Sequence, residues 1–179
     1  MSLFVVEGAR KSGKTFFVSS QNTFPVFKFD FNGAYTNLEL PEGGEITHGI
    51  GLGKELMVHQ LNRDSFLPDL IMDRGVITNS VWGILNNRVS RDTVYQELAY
   101  MVKNNLFKDV FFFYVYGTYQ GERKKDVWDH MDKMIPKEIE IFDEIIAYLS
   151  LAGVKIHKVE NKFDLESLSG FQTIIKNLK

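Results

Sequence analysis

Eight residues near the start of the chain, Gly8-Ala9-Arg10-Lys11-Ser12-Gly13-Lys14-Thr15, fit the pattern G-x-x-x-x-G-K-[ST] at every position. They follow an apolar run, Leu3-Phe4-Val5-Val6, and open a helix-compatible segment. That strand–loop–helix setting is the one in which the pattern binds phosphate. The glycines let the backbone curl so that successive N–H groups converge on an anion. The helix N-terminus adds about half a positive charge. Lys14 is placed to bridge the β- and γ-phosphates, and the Thr15 hydroxyl to bind Mg²⁺. Gly8, Ser12, Gly13, Lys14 and Thr15 are thus candidate nucleotide-binding residues. A second apolar run, Leu70-Ile71-Met72, ends in Asp73-Arg74. An acid at the carboxyl end of a buried strand faces the ligand crevice of an open α/β sheet, where Asp73 can order Mg²⁺ beside Thr15. Arg74 offers a planar fork to the transferring or acceptor phosphate.

Two further patterns compete with this reading. Asn161-Lys162-Phe163-Asp164 matches the N-K-x-D with which GTPases read guanine, and Asp30-Phe31-Asn32-Gly33 matches their D-x-x-G. The spacing speaks against a GTPase. Asp30 follows the phosphate loop too closely for a switch loop and an extra strand, and residues 165–179 suffice for one helix only. Asn161 and Lys162 stay as candidates for contact with a nucleotide base, and Asp30 for the acceptor or Mg²⁺. His48, His59, His130 and His157 show no metal-ligand spacing and read as solvated or core residues.

The elements that would hold these residues follow from apolar runs and their spacing. Strands are expected at 3–6, 24–31, 70–72, 110–116 and 154–159, the short and almost wholly apolar ones as central parallel strands. Helices are expected at 13–20, 53–62, 76–88, 92–106, 126–134, 137–151 and 165–178. Ser90 or Asp92 would cap the fourth, Pro136 would break or kink the chain before the sixth, and Gly153 would end it. The stretch from Gly33 to Gly53, rich in Gly, Asn and Glu, reads as a long functional loop. The β–α alternation makes a parallel sheet with helices on both faces, in one domain over 1–179.

Composition bounds the function. The 179 residues carry 21 Lys+Arg against 23 Asp+Glu, a formal net charge of −2, which argues against a general electrostatic grip on nucleic acid. With no cysteine, disulfides, thiolate metal sites and cysteine nucleophiles are excluded. No apolar run approaches the roughly 18 residues of a membrane span. The opening residues lack a basic segment before their apolar run, so no secretory leader is expected and the chain reads as cytoplasmic.

Glu7-Gly8 with the phosphate loop resembles the E-G-x-D-G-x-G-K-[ST] opening of thymidylate kinases. Asp73-Arg74, followed by Ser80 and Trp82-Gly83, resembles their D-R-[YFS] segment and the E-R-S of deoxynucleoside kinases. Glu140-Ile141-Phe142, a strand at Val154 and a last helix through Ile174-Ile175 follow the same plan. The resemblance implies a three-layer α/β/α P-loop fold with a five-stranded parallel sheet in the order 2-3-1-4-5. It also implies phosphoryl transfer from ATP, with Mg²⁺, to a nucleoside or nucleoside monophosphate, and a basic lid at Gly121-Glu122-Arg123-Lys124-Lys125. Arg123 and Lys11 match the family's basic residues that neutralise the transferring group. The pattern departs at Arg10, where the family carries an acceptor-binding Asp, and at Gly75, where it carries an aromatic. The acceptor therefore stays open, a polynucleotide end included. So do a GTP-binding switch, a nucleotide-binding protein without kinase activity, and a homodimeric assembly.

Overall fold

Short apolar runs build the sheet; its three central strands are buried and its two edge strands are largely open to solvent. The computed structural model describes residues 2–21, 24–28, 45–64, 66, 68–117 and 129–178. The strands are β1 (Leu3–Glu7), β2 (Val26–Lys28), β3 (Leu70–Asp73), β4 (Val110–Tyr116) and β5 (Ile156–Glu160). All neighbours pair in parallel, in the order β2-β3-β1-β4-β5. Val6 is in register with both Asp73 and Phe113, so β1, β3 and β4 carry their carboxyl ends to one rim of the sheet.

The helices are α1 (Lys14–Ser20), α2 (Glu45–Arg63), α3 (Val76–Leu85), α4 (Arg91–Lys103), α5 (Ile135–Leu151) and α6 (Leu165–Asn177), with a 3₁₀ helix at Asp129–Met134. Alternation along β1 assigns them to faces. Leu3 and Val5 pack with residues of α2, α3, α4 and α5, while Phe4 and Val6 pack with Phe17 and Val18 of α1 and Phe171 and Ile175 of α6. This is the expected α/β/α layering. Among the described residues, no helix is long and apolar enough to cross a membrane.

Three expectations need correction. The helix expected from Gly53 begins at Glu45, so the last turns of the expected loop are helical. Gly51 explains its composition: a Cβ there would stand 2.8 Å from Asn79 Oδ1, so the glycine serves close packing of α2 on α3. Pro136 does not break the chain but lies in the first turn of α5, where its missing N–H costs nothing. The segment expected as a helix over 126–134 is 3₁₀ where it is described. The caps agree better. Ser90 accepts from the Thr93 N–H at the start of α4, and Gly153, at φ +82°, follows α5 with its N–H on Ser150 O and that of Val154 on Leu149 O.

Phe171 docks α6, its ring edge-on to Phe17 at 4.9 Å and to Phe113 at 5.2 Å. Phe171→Ala is expected to cost about 3–5 kcal/mol of unfolding free energy, read from urea denaturation. A loss under about 1 kcal/mol would mean that α6 is not part of the core.

Candidate functional site

The loop between β1 and α1 takes its shape from two glycines. Gly8 has φ +146°, and a Cβ there would fall 2.2 Å from Val115 O. Gly13 has φ +83°, and a Cβ there would fall 2.1 Å from Asn161 Nδ2. Asn161, buried after β5, donates through Nδ2 to Ser12 O at 2.8 Å and accepts through Oδ1 from Phe163 N at 2.8 Å. Its amide fixes the loop from outside. Asp164 accepts from the Ser167 N–H at 2.7 Å and caps α6, which commits the acid of the N-K-x-D pattern to a helix end.

Lys14 opens α1 and is buried. Its Nζ donates to Gly8 O and Ala9 O, both at 2.6 Å, so the ammonium lies under the loop. Burial draws its pKa down to about 7, and the nearby Arg74 charge adds to this against Glu138, Asp73 and Glu7. The Thr15 side chain is exposed beside it.

Asp73 and Arg74 end β3 beside β1. Arg74 has φ +73° and donates its backbone N–H to Val6 O at 2.9 Å. Asp73 Oδ1 is buried without a hydrogen-bond partner. That open carboxylate oxygen, and the Thr15 hydroxyl at the start of α1, are oxygens of the type that a hard cation such as Mg²⁺ takes. The expected residues Gly8, Lys11, Ser12, Gly13, Asp73, Arg74 and Asn161 lie on this rim or on the loops leaving it, and Lys14 and Thr15 open α1 directly after its loop. Asp30 and the basic segment with Arg123 lie outside the described residues.

The structure adds acids that spacing alone did not single out. Glu7 is fully buried and takes the N–H groups of Ile77 and Thr78, both at 3.1 Å, together with the Thr78 hydroxyl. It thereby caps α3, whose own N-cap, Gly75, has no side chain to do so. A Cβ at Gly75 would come within 2.7 Å of Val5 Cγ1 and 3.1 Å of Glu7 Oε1, which explains glycine at this departure from the resembled pattern. Burial raises the Glu7 pKa to about 7, against its hydrogen bonds and Lys14. Glu55 of α2 is buried with both carboxyl oxygens unpartnered, and burial and Glu7 hold its pKa well above the usual range. One turn on, His59 is buried and its pKa is pushed down to about 4. His48, also buried, bonds Glu97 at 2.9 Å.

Lys11 and Arg10 face carboxylates as well. Lys11 Nζ bonds Asp132, Arg10 lies 3.7 Å from the same carboxylate, and the Arg10 backbone N–H donates to Glu138 Oε1 at 3.1 Å. The signal for Glu138 is in the sequence: it shares helical spacing with Phe142, Ile145 and Leu149, a core position occupied by an acid.

With this geometry the chain was compared with known proteins. No protein-family model matches it, and no curated protein matches it in sequence. Solved structures do match. A thymidylate kinase from Candida albicans aligns over 98% of this chain and 91% of its own, at 16% identity and a TM-score of 0.63. A deoxyadenosine kinase from M. mycoides, solved with dCMP and dCDP, aligns over 99% and 100%, at 14% identity and a TM-score of 0.65. NadR, solved with NAD and AMP-PNP, aligns over 98% of this chain and 49% of its own, at 12% identity and a TM-score of 0.63. The fold is that of the P-loop kinases.

Two site groups give opposite pH dependences. Glu7 holds its proton up to about 7 in the fold against 4.5 ordinarily, so stability falls as pH rises across that window. Lys14 gives up its proton near 7 against 10.5 ordinarily, so stability rises again above about 7. Both contributions are read from Tm against pH in calorimetry by comparing variants with the parent, in which Glu55 and His59 also titrate differently from the unfolded chain. Glu7→Gln should flatten the acidic limb and Lys14→Met the alkaline one; unchanged limbs would refute the assignment.

Proposed function

We propose that this chain transfers the γ-phosphoryl group of ATP, with Mg²⁺, to a nucleoside or nucleoside monophosphate. The observation that carries the reading is the meeting of Lys14, Asp73 and Arg74 beside one glycine loop at the carboxyl ends of β1 and β3. The thymidylate and deoxyadenosine kinases of the same fold support it. In this reading the loop N–H groups and Lys14 hold the donor phosphates. Thr15 and Asp73 would hold Mg²⁺, which would supply positive charge to neutralise the phosphates. Arg74 positions the acceptor, and Lys11 and Arg123 stabilise the transferring group. Such fixed cations are the main catalytic resource of phosphoryl transfer, which needs little covalent chemistry from the protein.

A second reading, nucleotide binding without transfer, has one observation in its favour. Arg10 occupies the position of the resembled family's acceptor-binding Asp, and its backbone N–H and guanidinium are turned to Glu138 and Asp132. A panel of ATP or GTP with Mg²⁺ against common nucleosides and their monophosphates, read by release of nucleoside diphosphate, separates the two. Acceptor-dependent ADP release is expected. Tight binding without such release would favour the second reading, and a preference for GTP would reopen the switch.

Lys14→Ala is expected to lower turnover by at least about 100-fold with the fold intact by circular dichroism. Turnover within a few-fold of the parent would sink the mechanism. Arg74→Ala should raise the acceptor KM or lower kcat while leaving ATP affinity within about threefold, since its fork serves the acceptor. Unchanged acceptor kinetics would remove Arg74 from its role.

A further inference from the structure

One short segment, the 3₁₀ helix and the first turn of α5, presents carboxylates to the phosphate loop. Asp132 takes the Lys11 ammonium and lies 3.7 Å from the Arg10 guanidinium, and Glu138 takes the Arg10 backbone N–H. These contacts join residues more than a hundred positions apart. A carboxylate oxygen and a phosphate oxygen are interchangeable acceptors for an ammonium, a guanidinium or a backbone N–H. The loop's x-positions thus engage acids of their own chain with the groups that recognise phosphate.

The two acids differ in how readily they can yield. Glu138 is 1% exposed, is fixed in α5, and lies within the field of Lys14, Arg10 and Arg74. Asp132 is about 30% exposed and sits in a 3₁₀ helix, whose hydrogen bonds are weaker than those of an α-helix. Its side chain is partly open to water, so it is less firmly enclosed than Glu138.

We infer that Asp132 is an internal competitor for the terminal phosphate of the bound nucleotide, holding Lys11 until that phosphate displaces it. The inference rests on the kinase reading of the loop and adds regulation to the same site. A diphosphate, lacking the terminal group, would leave the Asp132–Lys11 pair in place. The exchange makes the site selective for the number of phosphates and keeps its cations neutralised between occupancies.

The test is calorimetric titration of the full chain and of Asp132→Asn with Mg²⁺–AMP-PNP and with Mg²⁺–ADP. Asp132→Ala and thermal melts of each variant serve as controls for folding. Asp132→Asn is expected to tighten AMP-PNP binding by about two- to fivefold, the range that partly exposed ion pairs span, with ADP unchanged. In a Lys11→Met background the gain should vanish. Weaker or equal AMP-PNP binding by Asp132→Asn, with ADP binding intact, would overturn the competitor and leave the kinase reading standing. So would a gain shared equally by ADP, which would reflect general charge alone. Failure of the parent and the variant to bind either nucleotide would overturn the phosphate-loop reading, and the competitor with it.

Discussion

The Glu7 carboxylate ties the two sides of the crevice together. It ends β1, directly before the phosphate loop, and accepts from the first turn of α3, directly after Asp73-Arg74-Gly75. The loop that would hold a donor and the strand end that would meet an acceptor are thereby fixed to one another by an interaction neither segment makes alone. Its cost is a carboxyl group in a dry interior beside a second buried acid, Glu55. Three donors offset that cost, and they are the otherwise orphaned groups of a helix end.

The same economy recurs around the loop. Asn161 holds Ser12, Glu138 holds Arg10, and Asp132 holds Lys11. Lys14 is anchored by the loop's own carbonyls, those of Gly8 and Ala9. The phosphate loop is therefore braced from β5 on one side and from α5 on the other, with its central lysine folded beneath. Such preorganisation lets a site meet a polyanion without ordering itself at the moment of binding.

What the sequence disclosed and what it hid divide along physical lines. The loop was legible because its glycines answer to local backbone geometry, and Asp73-Arg74 because an apolar run stops there. The sheet followed from β–α alternation, and its strand order from resemblance. The start of α2 was hidden, because Gly49, Gly51 and Gly53 look like loop composition until α3 is seen against Gly51. Asp132 was hidden because its partners lie over a hundred residues away, and Glu138 showed only as an acid at a core-facing spacing, without the Arg10 N–H that it meets. Glu55, His59 and Asn62 occupy successive core-facing turns of α2 and are all buried, yet a polar residue in a helix reads as solvent-facing unless its neighbours fix the face. Asn161 was noticed for a base contact; that its amide bonds the loop backbone needed the fold.

The two rims of the sheet have a consequence for how copies of this chain meet. β2 is three residues long, preceded by Pro25 and ended by Lys28. β5, at the opposite rim, alternates through His157, Lys158 and Glu160, with Lys155 laid over the Phe111 ring just before it. A strand arriving at the first rim meets Pro25, which offers no N–H, and one arriving at the second must align beside charge. Edge-to-edge polymerisation, the usual hazard of an open sheet with so apolar an interior, is thus disfavoured at both described margins. Apolar side chains that do lie exposed, among them Met57 and Tyr100 on the helical flanks and Val26 and Phe27 on β2, are then what a second molecule meets in crowded solution.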